Sequence, residues 1–420
     1  MKKQLLAFTF LAASAISVQG QTVTDTVSLG AGYVNQVWYN LENGTETSTG
    51  GANWDFGFQI SGFASSIIAN NTTGAELYIY PNGDTSSWPT LDTSGMSSWT
   101  QVYNSATTWD NGGFNIGKDT SNAFDLGWGN YNFITHHVTA DSLYVWKTAT
   151  GAIKKIWIER LASGVYYFKV ADYNGSNLKN VTLSKSNFTG KNFGYYSIAL
   201  DSVMDIEPMS SSWELLFSRY FGDLGGGVRY PVTGIRTNSG IETAQVYPVD
   251  ASTFNTTQGH TYSSAINVIG YDWKQFSFQT GWNLQDSLVY FVKTDSTTYW
   301  KLVMKDFGGS SNGNYIFEKT KINTVTGIFE NNITQSGTFL IYPNPSTERN
   351  ISIVADLPVS AQQAQINVLN VNGQLVKSEN ITLSNSFEAH QIQLGGLKAG
   401  MYLIQLNHEQ GMITKQLILK

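Results

Sequence analysis

Six carboxylates sit close to tryptophans in the sequence: Asp55, Asp92, Asp110, Asp125, Glu214 and Asp272. Two acids flanking a sugar ring are the equipment of glycoside hydrolysis, provided they are held roughly 5–10 Å apart across the scissile bond. Nothing in the spacing of these six fixes such a pair. Asp55 in "WDFGF" and Glu214 in "WELLF" occupy matching places, each beside a tryptophan expected to face the core, which predicts solvated strand positions for both. The segment "GSSNG" (309–313) satisfies G-x-S-x-G. A nucleophile elbow, however, needs a strand-to-helix turn, and here both flanks read as strands, so a hairpin turn is expected. With no H-E-x-x-H, calcium loop or P-loop present, no catalytic residue is assigned and the chain reads as non-enzymatic.

Tryptophan supplies a different chemistry. Trp88, Trp99, Trp109 and Trp128 lie in Gly/Ser/Thr/Asn-rich sequence with poor strand alternation. Rings in such a setting either stack on the faces of sugars or other flat ligands, or anchor a long loop against a sheet, because an aromatic ring offers large apolar area at little entropic cost.

The elements that must position these groups are strands. In 420 residues there are 40 glycines and 22 tyrosines, aromatic residues make up 13 %, and charged residues make up only 13 %, about half the usual share of roughly 25 %. Long helices lack their usual residues, and the fold class is all-β. There is no cysteine, so the cores must form without cross-links. The formal net charge of −6 and the absence of long basic runs argue against nucleic acid or an acidic membrane surface as partner.

Residues 1–20, "MKKQLLAFTFLAASAISVQG", have a basic start (Lys2, Lys3), an apolar stretch from Leu5 to Val18 and small residues before Gln21. This pattern predicts a secretory signal peptide cleaved before Gln21. The apolar run is too short to span a bilayer, and no membrane span is expected.

The chain changes character near its end. A polar linker is expected at 323–338, followed at 339–420 by a small β-sandwich: Ile366 to Val371 alternate as a strand, Asn372-Gly373 is a two-residue hairpin turn, and a second hairpin turns near Glu409 to Gly411. With Tyr342-Pro343-Asn344-Pro345, Gly373, "GLKAGMYLIQL" (including Gly400 and Tyr402) and Lys415, residues 340–420 resemble the type A C-terminal sorting domain of proteins exported by the type IX secretion system. The resemblance implies a diderm bacterium, recognition by the type IX machinery, and release or attachment to surface lipopolysaccharide at the outer cell surface.

Residues 22–322 repeat themselves. "DSLYVWKT" (141–148) returns as "DSLVYFVKT" (286–294), "KKIWIERLASG" lies over "WKLVMKDFGGS", and "WDFGF" returns as "WELLF". Two β copies are expected, at 22–186 and 187–322, with Trp54, Phe56 and Phe58 on one strand face and Trp213, Leu215 and Phe217 repeating them. Through "FGYYSIALDSV", "SSSWELLFSRYFGD" and "RYPVTGIRTNSGIETAQVY", the second copy resembles the HmuY family of secreted haem-binding proteins. The resemblance implies haem as cofactor, held between two axial side chains. His260, Met204 and Met209 are the candidate ligands in copy two, and His136 and His137 in copy one; strand neighbours face opposite ways, so only one of that pair can face a given cleft. The reading is a secreted or surface protein that captures haem or a related tetrapyrrole. The alternative is a carbohydrate-binding or adhesive surface protein.

Overall fold

The computed structural model describes residues 16–325, 338–356, 363–370, 374–382, 388–408 and 411–420. The signal segment up to residue 15, most of the expected linker, the Asn372-Gly373 turn and residues 409–410 of the second turn lie outside the described residues. The fold is all-β, and every named strand pairing is antiparallel.

Four sheets stack as outer, inner, inner, outer. The first outer sheet runs Lys179–Ser184 (β13), Val165–Asp172 (β12), Ile153–Ala162 (β11), Tyr144–Lys147 (β10), Glu76–Ile79 (β6) and Gln101–Val102 (β7). Gly129–Asn132 (β8) and His137–Ala140 (β9) form a hairpin on β11. Its inner partner runs Ser202–Met204 (β15), Phe193–Ser197 (β14), Phe56–Gln59 (β4) and Ile67–Ala69 (β5). The second inner sheet runs Glu46–Gly50 (β3), Asn35–Tyr39 (β2), Leu215–Asp223 (β16) and Arg229–Thr237 (β17). The second outer sheet runs Ile16–Ser28 (β1), Asn314–Val325 (β23), Thr298–Phe307 (β22), Val289–Lys293 (β21) and Glu242–Val246 (β18). Lys274–Ser277 (β19) and Gly281–Leu284 (β20) form a separate hairpin.

Period-two alternation builds both sandwiches. Phe56 and Phe58 of β4 pack with Tyr144, Trp146, Ile156 and Phe168 of the first outer sheet. Leu215 and Phe217 of β16 pack with Tyr290, Val292, Leu302 and Phe317 of the second. Each such side chain, fully buried, stabilises by roughly 1.5–3 kcal/mol. The hairpin between β11 and β12 turns at Ser163 and Gly164, both at positive φ (50° and 73°). This is the primed turn whose twist matches that of the strands it joins. "GSSNG" joins β22 to β23 through a single helical turn, Gly309–Asn312 (α1).

The division expected at 186/187 does not follow the strand pairing. β2 pairs with β16 rather than β4 and carries β3 at the edge, and β14, carrying β15, pairs with β4 rather than with the strands after it. The first sandwich is therefore closed by 193–204, whereas the second is closed by the strands at the start of the chain. Sequence periodicity finds strands but not their partners, and these pairings join segments far apart in the chain. The pairing of β1 with β23 slips register between Gln19 and Thr22, around the expected cleavage point, and Thr22–Ser28 keeps a regular ladder with Asn314–Thr320.

With that phasing, the same contacts occur in both sandwiches. Lys147 pairs with Glu76 at 3.0 Å, and Lys293 with Glu242 at 2.9 Å. The buried Lys155 donates to the Trp88 carbonyl at 2.7 Å, and the buried Lys301 to Asn255 Oδ1 at 3.0 Å, each tying down a loop that covers its outer sheet. Asn70 Nδ2 donates to the carbonyls of Gly51 and Trp54, and Asn238 Nδ2 to those of Ser210 and Trp213. Asp55 and Glu214 are not solvated strand positions. Their oxygens accept from the backbone N–H of Ile198 and Leu41, both at 2.7 Å, and burial raises the pKa of each.

The last residues form a separate two-sheet sandwich: Thr338–Tyr342 (β24), Asn350–Asp356 (β25) and Glu388–Gln393 (β28) face Leu375–Thr382 (β27), Gln363–Asn370 (β26), Gly400–His408 (β29) and Gly411–Leu419 (β30) over one core.

Replacing Asn70 or Asn238 with alanine leaves two carbonyls without their donor. Each substitution is expected to lower the unfolding free energy by about 1–3 kcal/mol and by similar amounts in chemical denaturation; a large loss for one and none for the other would refute the equivalence of the two positions.

Candidate functional site

Between the two inner sheets the strands bury their second faces. Trp38 of β2 and Leu216 of β16 meet Ile68, Phe193 and Tyr195 of the first sandwich, with Trp54, Trp109 and Trp213 among them. Trp54 and Trp213 therefore do not share a face with Phe56 or Leu215 as the alternation predicted. They precede the strands and turn into the junction. A loop of the first sandwich crosses to the second here: Trp109 Nε1 donates to the Thr237 carbonyl at 2.9 Å, and Thr107 accepts from Ile266 N–H at 3.0 Å.

A cleft of about 280 Å³ opens along this junction, lined by aromatic rings and amides. Tyr103 of the first sandwich meets Phe221 of the second, ring centres 4.7 Å apart, and both keep partial exposure. Trp54 packs edge-on against Tyr195 at 5.0 Å and donates to Gln36 Oε1.

Three charged groups sit in the lining: the exposed Arg219 at its edge, and Glu207 and Arg236 deeper in. Glu207 accepts from Tyr195 OH at 2.8 Å, from Asn192 N–H at 3.1 Å and from Phe193 N–H. Burial still pushes its carboxyl up to about 8. Arg236 of β17 lies with its guanidinium 4.5 Å from the centre of the Trp109 ring and 4.9 Å from that of Tyr220, and its Nη2 donates to Ser218 Oγ at 3.0 Å. Burial lowers its pKa to about 10. Four buried polar atoms of the lining residues have no protein partner: Arg236 Nε, Tyr220 OH, Trp213 Nε1 and Asn71 Oδ1. Such atoms each cost about 1–3 kcal/mol when left unsatisfied.

None of the five candidate axial residues lines this cleft. His260 lies on the outside of the second outer sheet, stacked 5.9 Å from Phe291, its Nε2 donating to the Thr256 carbonyl. His136 and His137 are at the β8–β9 hairpin, where His136 Nδ1 bonds Tyr131 OH at 2.9 Å. Met204 ends β15 and packs beneath the junction aromatics. Met209 is exposed, against Gly190. These positions do not form facing walls for a haem. Among the described residues no cluster of His, Cys, Asp and Glu could hold a metal ion. The tryptophans divide as well: Trp88 and Trp99 anchor the loop over the first outer sheet, Trp128 is core, and Trp109 alone of the four reaches the cleft.

Sequence reasoning missed Arg236, Glu207 and Tyr103. A signal existed for the first: two residues before Asn70 stands Ile68, and two before the equivalent Asn238 stands Arg236.

In the C-terminal sandwich, Asn344 joins the Tyr342–Pro345 segment to the last strand, accepting from Ile418 N–H at 2.9 Å and donating to the Gln416 carbonyl at 2.8 Å. Gly400 opens β29, Tyr402 OH donates to the Lys398 carbonyl, and Lys415 of β30 sits over Phe339. Gly373 lies outside the described residues.

No curated protein is similar to the chain. Two solved structures align at levels that carry no structural argument. One is the trimeric ectodomain of the C. elegans fusion protein EFF-1, at 7 % identity and TM-score 0.17 over 97 % of this chain and 95 % of that one. The other is a biofilm associated protein, BSP domain, at 11 % identity and TM-score 0.16 over 96 % and 66 %. No helix among the described residues is long and apolar enough to cross a membrane. Residues 340–420 match the family described as secretion system C-terminal sorting domain, so the chain carries a type IX sorting domain and is exported, to be secreted or held at the outer cell surface.

Proposed function

We propose that this exported protein binds a glycan in the cleft between its two sandwiches and performs no chemistry on it. The observation that carries the reading is a cleft lined by aromatic rings beside amide and hydroxyl side chains, with unpartnered polar atoms just behind that lining, the combination that suits a ligand with apolar ring faces and a hydroxylated rim. Among the described lining residues Glu207 is the sole carboxylate, whereas glycoside hydrolysis takes two. Its oxygens are engaged by three donors that fix the start of β14, a structural task. The haem reading draws no support from the placement of His136, His137, Met204, Met209 and His260. We infer further that the sandwiches are copies of one unit, the second completed by 16–50, a reading supported by their matched strand orders and buried contacts. Removal of residues 1–20 as a signal peptide and attachment to lipopolysaccharide belong to the same proposal.

Binding should follow the cleft and not the other tryptophans. On a glycan array, Tyr103→Ala is expected to cut retention of the wild-type ligands at least ~10-fold, and Trp88→Ala to leave it unchanged; a wild-type chain that retains no saccharide sinks the reading.

Glu207 makes a second prediction. Its folded pKa of about 8 lies above the ordinary 4.5, so the folded protein holds the proton more tightly than the unfolded chain. That contribution to stability is complete below about pH 4.5 and is lost as the pH rises through about 8. Glu207→Gln should flatten the decline of unfolding free energy across this window, and an unaltered slope would assign the decline to other groups.

A further inference from the structure

We propose that the cleft takes an anionic saccharide, and that Arg236 binds the anionic substituent, a carboxylate or a sulfate. The inference rests on the glycan reading and deepens it. Arg236 is the reason: among the described residues no carboxylate forms an ion pair with it, its Nε is closed to solvent without an acceptor, and its one protein hydrogen bond shown is to a neutral hydroxyl, Ser218. The rings of Trp109 and Tyr220 hold the guanidinium in place but neutralise nothing. Of the other charged groups in the lining, Arg219 is exposed at the edge and adds positive charge there, while Glu207 is occupied by Tyr195 and the backbone of Asn192 and Phe193, with Lys191 as its charged neighbour.

The architecture does not require a cation at this point. In β5 the equivalent residue is Ile68, cross-strand from Gly57 as Arg236 is from Leu216, and it packs as plain apolar surface. A buried guanidinium kept where isoleucine serves the fold is an open half of an ion pair. Its planar fork matches the oxygens of a carboxylate or a sulfate, and the closed aromatic surroundings strengthen the attraction relative to water. The volume of about 280 Å³ limits the ligand to a small saccharide or the terminal unit of a longer one.

The test uses the full-length chain and three probes in calorimetric titration: an oligosaccharide ending in a hexuronic acid, its carboxyl-reduced neutral counterpart, and a sulfated oligosaccharide. One anionic probe is expected to bind at least ~10-fold more tightly than the neutral one, the advantage falling with added salt. The stronger anionic arm identifies the substituent. Arg236→Met should remove most of the advantage, Arg219→Met at the edge only a minor part, and Arg236→Lys should keep part of it. The unliganded Arg236→Met protein should melt no more than about 5 °C below wild type, since it replaces a charge lacking a counter-ion by an apolar chain. A larger drop would make the guanidinium a structural strut and overturn the proposal. Equal binding of neutral and anionic probes, unaffected by Arg236→Met, would overturn it and leave the glycan reading intact. Failure of all three probes, with no saccharide retained on the array, would overturn both.

Discussion

The inner strands of this protein have no solvent face where the sandwiches meet. In β2, Tyr39 enters one core while Trp38 enters the junction; in β14, Tyr196 and Tyr195 divide the same way, and in β16, Phe217 and Leu216. A one-residue slip would exchange the two sets, so register is held from both sides at once. Every polar group brought into the junction must then find its partner there. Most do: Asn70, Asn238 and Glu207 spend their bonds on backbone groups. The exceptions gather among the residues lining the cleft.

The phasing of the strands sets where this junction lies. Because the second sandwich takes β1, β2 and β3 from the start of the chain, the connection from β3 to β4 runs from one sandwich to the other, and Trp54 at its end is drawn between them. The return connection, from β15 to β16, does the same to Trp213. Two crossings of similar sequence thereby supply two indoles to one interface. The loop bearing Trp109 adds a third, hydrogen-bonded to Thr237 across the gap. Export to a compartment where disulfides form makes the lack of cysteine notable, and these crossings supply a non-covalent substitute by fastening each sandwich to chain segments of the other.

Local signals in the sequence were enough for much of this. The alternation in "GVYYFKV" and "KKIWIERL" is the β11–β12 hairpin, and Ile366 to Leu369 lie in β26 of the sorting domain. The repeated "DSL" phrases fall at the same place in the two outer sheets, before β10 and β21. Three things were out of reach of pattern. Partner choice for β2 and β14 is non-local. The faces of Trp54 and Trp213 depend on strands that begin two residues later. The burial of Asp55 and Glu214 depends on backbone N–H groups contributed by Ile198 and Leu41, which no spacing rule connects to them. The histidines and methionines suggested a ligand set through their chemistry alone, and the fold disperses them.

Arg236 marks a place where the two inner sheets, matched in strand order, differ. When two units pack through equivalent faces, the shared surface is self-complementary and apolar on both sides, and it needs no pocket. Binding requires that one side depart from the other. Here Ile68 stands cross-strand from Gly57 in one inner sheet, and Arg236 from Leu216 in the other. Gly57 has no room for a side chain, since a Cβ there would sit 2.7 Å from Ile68, whereas the Arg236 position replaces a short apolar group by a long cation. An arginine where the other sheet has isoleucine forgoes apolar packing and leaves a charge without a counter-ion among the described residues, a loss the fold tolerates because both cores lie elsewhere, in the outer halves of the sandwiches. Marginal stability is kept by those cores, and the junction is free to carry a group without a protein counter-ion.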